Sequence, residues 1–327
     1  MHHIQHHCIG CRRFGTIGLH GSVLHVRREH GAAAIDNTTI AVLGGIVPTD
    51  NSTETTDVLQ LYDIASDTWR TGASAPYKVN HPNVASVDGK LYLLDGLTEG
   101  PTSASLYMNW IASKSCHVYD PVANAWDELA DIPSGTKRGS AVMGVNGEVI
   151  YLAGGMTVLM TGYQDAGDSR LPMGAAELPE SRQHAAGSVV GDSFYVIGGR
   201  RYGQLNFRDT VFELDLTHST AEWSTSTGPM PTSRGGINGG AIGNKYYIFG
   251  GEGNVDSATG TDMLDLKSQE WTELQPMAVP WHGTQAVALG DRVYIPGSGL
   301  QQDGKQVITN GTSTSQQPSA HFDAYCA

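Results

Sequence analysis

The amino-acid sequence predicts an all-β protein, a single β-propeller of six blades. Six segments of the 327-residue chain share an apolar strand that ends in Gly, at intervals of roughly fifty residues. A pair of turn-forming residues precedes each strand, and in four repeats an Asp and then a Trp follow it. One sheet of this kind cannot bury both of its faces alone, so we expect the sheets to pack radially around a channel.

The inner half of each repeat is predicted to be a hairpin. The six apolar strands end at Gly45, Gly96, Gly155, Gly199, Gly251 and Gly297. The expected turns are Asp36-Asn37, Asp88-Gly89, Asn146-Gly147, Gly191-Asp192, Gly243-Asn244 and Gly290-Asp291. Residues of these types reach the positive φ angles that two-residue hairpin loops require.

The outer half of a blade is predicted where an acidic strand end is followed by a Trp. The pairs are Asp63 with Trp69, Asp120 with Trp126, Asp215 with Trp223 and Asp265 with Trp271. The third repeat lacks this Trp between Gly155 and Arg182, so we expect its blade to be degenerate or shortened.

The sixth repeat ends at HFDAYC without a fourth strand. We therefore expect the N-terminal segment 16–26 to lie beside it and close the ring, with a disulfide from Cys326 to Cys8 or Cys11 as a possible clasp. Residues 1–13 are predicted to be a disordered leader and residues 14–327 the propeller.

Composition narrows the classes of partner. A net charge of −13 disfavours nucleic acid, and no apolar run is long enough for a membrane span. The N-terminus has no signal-peptide core, whereas glycosylation sequons at Asn37, Asn51 and Asn310 favour the secretory pathway, so the compartment stays open. We expect a monomer.

Two sets of polar residues recur at the entry to the innermost strands. Counting back fourteen residues from the first position of each Gly pair gives His30, His81, Ser140, His184, Gly236 and His282. Two residues earlier stand Arg28, Val79, Arg138, Arg182, Arg234 and Pro280. Both sets are expected to ring one mouth of the channel.

We interpret this mouth as a small-molecule site. His30, His81, His184 and His282 would donate hydrogen bonds or move protons, while Arg28, Arg182 and Arg234 would orient an anionic or carbonyl oxygen. The residues expected to bind substrate are Arg138, Tyr107, Trp110, Met156, Tyr163 and Trp281. The alternative is structural, since buried polar side chains usually hydrogen-bond loop carbonyls.

We expect the site to contain no cofactor. Metal binding is the alternative. His30, His81 and His282 fall on three consecutive blades if the ring closes, and three imidazoles can hold a metal ion. The leader HHIQHHCIGC also resembles a ligand cluster, but no second Cys/His pair follows at zinc-site spacing.

The Gly pair, the Tyr/Leu-Asp strand end and the spaced Trp resemble the kelch repeat, over roughly residues 27–326. Kelch-type propellers include the central domain of galactose oxidase, sialic acid mutarotases, plant specifier proteins and fungal secondary-metabolite enzymes of the hetero-Diels-Alderase kind. The ending HFDAYC is similar to fungal kelch proteins. The copper ligands of galactose oxidase and the iron motif of the specifier proteins are not identifiable here.

The resemblance implies an enzyme of secondary metabolism, of a cyclase or cycloaddition type, or a non-catalytic interaction module. A cycloaddition catalyst needs a shaped apolar pocket and one or two donors that polarise a carbonyl. No helical partner domain accompanies the repeats, which favours the small-molecule reading. A third reading is an unstable chain with a defective third repeat.

Overall fold

The structure is a computed structural model. It describes residues 16–20, 27–48, 53–101, 109–133, 135–160, 163–164, 177–203, 205–226, 228–253, 260–277, 281–297, 308–309, 312–313 and 322–326. These residues contain thirty β-strands and no α-helix, so the all-β class is confirmed. Within these ranges, no helix could span a membrane.

Six antiparallel hairpins line the channel. They are β2 (Gly31–Ala34) with β3 (Thr39–Leu43), β8 (Val84–Val87) with β9 (Lys90–Leu94), β14 (Val142–Asn146) with β15 (Val149–Ala153), β18 (Ala186–Val190) with β19 (Ser193–Ile197), β22 (Asn238–Ile242) with β23 (Lys245–Phe249), and β26 (Val287–Leu289) with β27 (Arg292–Pro296). Each first strand contacts the first strands of the two neighbouring hairpins, including β26 with β2.

Four of these hairpins continue outward into a third and a fourth strand. The added strands are β6 (Leu59–Asp63) and β7 (Thr68–Thr71), β12 (Cys116–Asp120) and β13 (Ala125–Glu128), β20 (Val211–Asp215) and β21 (Ser224–Thr225), and β24 (Thr261–Asp265) and β25 (Glu270–Glu273). The Asp and Trp signals therefore placed the outer strands correctly. Trp126 Nε1 donates to Ala73 O and Trp271 Nε1 to Gly228 O, both 2.9 Å away in the preceding repeats.

The third repeat has only β14 and β15 in its radial sheet, within the described residues. Its next strands, β16 (Val158–Met160) and β17 (Tyr163–Gln164), join β10 (Leu97–Glu99) and β11 (Asn109–Ala112) of the second repeat in a separate sheet. The two repeats are therefore linked beyond the Gly pairs, an arrangement that the sequence did not predict.

The last sheet combines the two ends of the chain. β30 (Phe322–Cys326) pairs with β27, and β1 (Thr16–His20) pairs antiparallel with β30. Cys8 and Cys11 lie outside the described residues, as does the side chain of Cys326, so the disulfide stays a prediction. Two short hairpins remain, β4 (Ile46–Pro48) with β5 (Thr53–Thr55) and β28 (Ile308–Thr309) with β29 (Thr312–Ser313).

The apolar core lies between neighbouring sheets. One buried cluster, for example, joins Leu43 and Leu61 of the first repeat to Leu91 and Tyr119 of the second. Each sheet thus buries both faces against its neighbours, as radial packing requires.

Two predicted turns need correction. The first turn has three residues, Asp36 to Thr38, because Asp36 Oδ1 accepts from the N–H groups of Thr38 (2.7 Å) and Thr39 (2.8 Å). The third turn is Gly147-Glu148, since Asn146 still pairs with Val149. The other four turns stand where they were predicted.

Candidate functional site

A ring of left-handed residues surrounds one mouth of the channel, one residue from each repeat. The six are Glu29 (φ 53°), His81 (φ 48°), Ser140 (φ 57°), His184 (φ 51°), Gly236 (φ 62°) and Gly283 (φ 64°). Four of them are not Gly, although this backbone region costs most side chains of order 1 kcal/mol or more. Such strain persists only where the surroundings hold the residue in place.

Hydrogen bonds running from repeat to repeat hold the ring. Backbone N–H groups donate to the carbonyl of the preceding ring residue: Glu29 to Gly283 (2.5 Å), His81 to Glu29 (2.8 Å), Ser140 to His81 (2.9 Å), Gly236 to His184 (2.9 Å) and Gly283 to Gly236 (3.3 Å). The remaining N–H, of His184, donates to Ser140 Oγ at 3.1 Å. The ring therefore fixes six side-chain positions around the mouth.

The predicted register was one residue off in two repeats. In the first repeat the three-residue turn lengthens the hairpin, so Glu29 takes the ring position in place of His30. In the sixth repeat, Pro296 is the last residue of β27, just as Phe249 is the last residue of β23 in the fifth repeat. Gly297 therefore corresponds to the first position of the Gly pair, and the count of fourteen residues should have started there. Gly283 accordingly replaces His282, while His81, Ser140, His184 and Gly236 stand as predicted.

The arginine set shifts in the same way, and most of it is structural. The residues two positions before the ring are Arg27, Val79, Arg138, Arg182, Arg234 and Trp281, all fully buried. Arg27 donates to Val42 O (2.8 Å), Arg138 to Gly154 O (3.2 Å) and Arg234 to Gly250 O (2.9 Å), carbonyls at or beside the Gly pairs. Arg182 pairs with Glu180 at 3.0 Å. The structural alternative therefore describes Arg138, Arg182 and Arg234.

Arg28 differs from these anchoring arginines. Its backbone bridges to Ile46 at the mouth, next to Glu29. The residue is buried, and its Nη1 atom has no hydrogen-bond partner among the residues that the structure describes. A buried guanidinium with a spare donor is a candidate site for an anionic or carbonyl oxygen.

Three ring side chains converge on one point. His81 Nε2 lies 3.1 Å from His184 Nε2 and 3.2 Å from Glu29 Oε2, and His184 Nε2 lies 3.7 Å from the same oxygen. Both histidines are buried. The two ring positions without a side chain are Gly236 and Gly283. A Cβ atom on Gly283 would lie 2.6 Å from Glu29 Oε1, so the glycine makes room for the carboxylate of the cluster.

Neighbouring amides orient both imidazoles. His81 Nδ1 donates to Asn80 Oδ1 at 2.6 Å, with Asn80 Nδ2 donating in turn to Thr55 Oγ1. His184 Nδ1 donates to Gln183 Oε1 at 2.8 Å. With their protons on Nδ1, both rings present an Nε2 lone pair to the cluster. Each Nε2 atom can therefore accept a proton or ligate a metal ion there, which agrees with the predicted movement of protons and not with the predicted hydrogen-bond donation.

Burial and local charge set the protonation states. Burial lowers the pKa of His81, with Glu29 opposing it, and lowers the pKa of His184 well below its ordinary value, with help from Arg200. For Glu29, burial alone would raise the pKa, but His81, His282 and the nearby arginines together hold it below its usual value. At neutral pH the cluster thus combines a carboxylate with two neutral imidazoles.

The mouth has one charged side and one apolar side. The residues that follow the Gly pairs and bridge to the ring entry are Ile46, Leu97, Met156, Arg200 and Glu252. Arg200 Nη2 pairs with Glu252 Oε2 at 2.9 Å, and His282 Nε2 lies 3.9 Å from Glu252 Oε1. Sequence reasoning missed Glu29, Arg200 and Glu252, although comparing the residues after each Gly pair would have shown the last two.

Trp110 and Met156, predicted to bind substrate, lie on the apolar side. They pack in a buried cluster with Ile46 and Leu97, and the Trp110 ring centroid is 5.8 Å from that of His81. Tyr107 and the side chain of Tyr163 lie outside the described residues.

The structure does not bring the remaining predicted residues to the cluster. His30 Nε2 donates to Gly297 O (2.7 Å) and Pro296 O (3.0 Å), and burial with the nearby Arg27 lowers its pKa to about 4. Its Nε2 is committed to these carbonyls. Among the described residues, the ligand atoms that lie within 4.8 Å of one another belong to Glu29, His81 and His184 and not to the predicted set of His30, His81 and His282. Trp281 is buried in an apolar core cluster.

The sequons are not tested as modification sites. Asn37 is exposed in the first turn, and Asn51 and Asn310 fall outside the described part of the chain. Glycosylation stays a prediction.

Two connected cavities follow the channel inward from the mouth. The first, of about 100 Å³, is lined by Glu29, His30, His81, Ser140, His184 and the two ring glycines. The second, of about 340 Å³, is lined largely by small residues such as Ala32, Ala34 and Ala85 and shares Met143 with the first. A polar chamber therefore adjoins a section lined mainly by small residues, and the volume of that section is within the usual size range of ligand sites.

Comparison with known proteins supports the fold. The KLHDC2/KLHL20/DRC7 Kelch-repeats domain matches residues 168–310. The solved structure of YjhT superposes with a TM-score of 0.70 at 17% identity, covering 92% of this chain and 95% of that one. The kelch-type propeller predicted from the repeats is thus confirmed.

Sequence relatives include a fungal protein. The Kelch-like protein terF of Aspergillus terreus is 35% identical over 304 residues, which is 87% of this chain and 63% of that protein. Human Kelch-like protein 38 is 28% identical over 212 residues, 64% of this chain and 33% of that protein. The chain therefore spans less than two thirds of the length of either relative. The chain therefore has the kelch-type fold and is similar to a fungal Kelch-like protein over most of its length.

Proposed function

We propose that this kelch-repeat protein is an enzyme that binds a small organic molecule at the channel mouth, in secondary metabolism. The observation that carries the proposal is the convergence of Glu29, His81 and His184 in a polar chamber beside a channel section lined mainly by small residues. A few polar groups gathered beside apolar walls are the usual composition of a small-molecule site.

The ligand class follows from the groups that face it. Arg28 has a spare buried donor suited to a carboxylate or carbonyl oxygen, whereas the two Nε2 atoms and the carboxylate of Glu29 accept protons. Trp110 and the small residues of the channel suit an aromatic or aliphatic body. We therefore propose an apolar ligand with an acidic or carbonyl oxygen and a hydroxyl group.

A cycloaddition of the hetero-Diels-Alder kind is compatible with these groups. Its new bonds form within the ligand, so the protein needs only to hold the reacting parts close and to polarise a carbonyl. Arg28 would polarise the carbonyl, and Glu29 or His184 would accept a hydrogen bond from a phenolic hydroxyl. The resemblance of the repeats to fungal kelch enzymes supports this reaction class, and the similarity to an Aspergillus Kelch-like protein supports a role in secondary metabolism.

The test begins with native mass spectrometry of freshly purified protein, followed by titration with phenolic carboxylic acids, phenolic aldehydes and their methyl ethers and esters. We expect the free acids to bind more tightly than the esters and to raise the unfolding temperature. Arg28→Gln should weaken binding of the acids by tenfold or more, because hydrogen bonds to charged groups contribute about 1.5–3 kcal/mol.

Arg70→Gln provides the matched control. Arg70 is exposed on β7, the outermost strand of the first sheet, whereas the strands nearest the channel are β2 and β3. Its affinity for the acids should equal that of the wild type. Absence of binding to any probe by folded wild-type protein would overturn the proposal and leave a non-catalytic interaction module. Equal losses in both variants would show that the acids bind by surface charge alone.

A further inference from the structure

We infer that Glu29, His81 and His184 form a binding site for a divalent first-row transition-metal ion at the centre of the channel mouth. The ion would bind whether or not the mouth takes an organic molecule.

The distances fit one cation. The two Nε2 atoms and Glu29 Oε2 form a triangle with sides of 3.1, 3.2 and 3.7 Å. A cation just outside the plane of this triangle would lie about 2 Å from all three atoms, the usual length of zinc–nitrogen and zinc–oxygen bonds. No side chain has to move to complete the set.

The hydrogen-bonding pattern leaves three acceptors facing one another. Because Asn80 and Gln183 accept the Nδ1 protons, both Nε2 atoms carry lone pairs, and they lie 3.1 Å from each other and 3.2 and 3.7 Å from Glu29 Oε2. One shared proton satisfies two of the three atoms, whereas a metal ion satisfies all of them. Metal-bound histidines commonly donate their other N–H to an oxygen in this way.

The backbone conformation of the three ligand residues also indicates a requirement for their side chains. Glu29, His81 and His184 all occupy left-handed positions, at which Gly236 and Gly283 show that Gly is accepted. Side chains stand at four consecutive positions of this strained ring, and three of them converge, which favours a functional requirement there. Gly283 makes room for one of the three ligands, because a Cβ atom on it would lie 2.6 Å from Glu29 Oε1.

The donor set suggests the class of ion. Two imidazoles and one carboxylate, with open positions, are typical of catalytic zinc and of non-haem Fe(II). Arg28 and Arg200 lie near Glu29 and oppose a dication, although the ion pair with Glu252 balances Arg200. We expect affinity for transition metals and not for Ca²⁺ or Mg²⁺, which prefer oxygen ligands.

Metal binding by the histidine-rich leader must first be removed, because its His and Cys side chains are potential metal ligands in their own right. We would use the full-length chain with His2, His3, His6 and His7 changed to Gln, and Cys8 and Cys11 changed to Ser. After treatment with a chelator, this background is titrated with Zn²⁺, Fe²⁺ under anaerobic conditions, and Co²⁺, whose visible absorption reports its coordination. We expect one ion per chain, with Ca²⁺ and Mg²⁺ giving no response.

Glu29→Gln and His184→Gln in this background should abolish the Co²⁺ absorption and the stoichiometric Zn²⁺. Gln183→Leu keeps all three ligands but removes the acceptor behind His184, so it should weaken binding by about 10–100-fold. It also tests the site if a ligand variant fails to fold. The matched control is His30→Gln, a chamber histidine bound to carbonyls, which should keep full stoichiometry.

Two results would overturn the inference. One is a folded background protein that binds none of the three ions. The other is a Co²⁺ spectrum and stoichiometry that Glu29→Gln, His184→Gln and Gln183→Leu leave unchanged. Neither result depends on a ligand or an activity, so failure here stays separate from failure of the proposed function.

Discussion

At the scale of single residues, Asp95 departs most from its repeat. It takes the first position of the Gly pair, where four other repeats have Gly44, Gly154, Gly198 and Gly250. The side chain is fully buried at a φ of 76°, and its oxygens accept from the N–H groups of Gly96 (2.6 Å) and Arg138. Burial raises its pKa to about 8, against the opposing effect of these hydrogen bonds.

This raised pKa predicts a pH-dependent stability. The folded state holds the Asp95 proton more tightly than the unfolded state, so the stabilisation is complete below about pH 4 and is lost as the pH rises through about 8. Compared with Asp95→Asn, the wild-type free energy of unfolding should fall between about pH 5 and 8, by at most about 1.4 kcal/mol per pH unit. Urea unfolding at several pH values measures it.

Asp88→Asn is the control, because Asp88 is exposed in a hairpin turn. The difference in unfolding free energy between wild type and Asp95→Asn should vary with pH more steeply than the difference between wild type and Asp88→Asn. A constant difference between wild type and Asp95→Asn over the same range would contradict the assignment.

The sequence predicted individual site residues where the turn length was regular. His81 and His184 follow from a simple count because their hairpins have two-residue turns. Glu29 was missed because Asp36 stabilises a longer turn through its side chain, which a count from the Gly pair does not detect. Asn80 and Gln183 were missed because each acts through its neighbouring histidine.

At the scale of the elements, the Gly pairs bring neighbouring repeats into close contact. A Cβ atom on Gly154 would lie 2.3 Å from the carbonyl oxygen of Arg182, in the next repeat. That carbonyl accepts from the N–H of Gly155 at 2.7 Å, so it cannot retreat without losing a hydrogen bond. The pair therefore serves both the local left-handed backbone and the approach of two blades.

Two Gly→Ala variants separate these effects. Gly154 and Gly147 both have positive φ, 68° and 59°, but a Cβ atom on Gly147 would meet nothing within 4 Å. Gly147→Ala should cost only the backbone strain, about 1–2 kcal/mol of unfolding free energy. Gly154→Ala should cost at least about 1–3 kcal/mol more, because overpacking adds to the strain. Denaturant unfolding gives both values, and equal losses would show that the close approach contributes nothing.

Elements with a sequence signal were predicted, and those without one were not. The Asp and Trp pairs mark outer strands of four or five residues, apart from the two-residue β21. Trp126 and Trp271 also donate hydrogen bonds to the preceding repeat. By contrast, β10, β16 and β17 have two or three residues each. Strands this short show no periodicity, so the sheet that joins the second and third repeats could not be foreseen.

At the scale of the whole molecule, the ends of the chain share one sheet. β1 is the outer strand of the order β1-β30-β27-β26, and five residues of β1 pair with β30. On the inner side, the hydrogen bond from Glu29 to Gly283 joins the first repeat to the sixth. The N-terminal strand thus forms the outer edge of the last sheet, and the first repeat bonds the last repeat at the channel mouth.

Two truncations test the contribution of the N-terminal strand. Removing residues 1–20 deletes β1 and leaves β30 as an unpaired edge, whereas removing residues 1–15 keeps every described residue of that strand. The longer truncation should lower the unfolding temperature by several degrees and promote association, because an open edge pairs with other chains. Differential scanning calorimetry and size-exclusion chromatography measure both effects. If the two truncated proteins unfold at the same temperature and remain equally monomeric, then β1 does not stabilise the sheet, and the last repeat must hold its position through β27 and the inner ring alone.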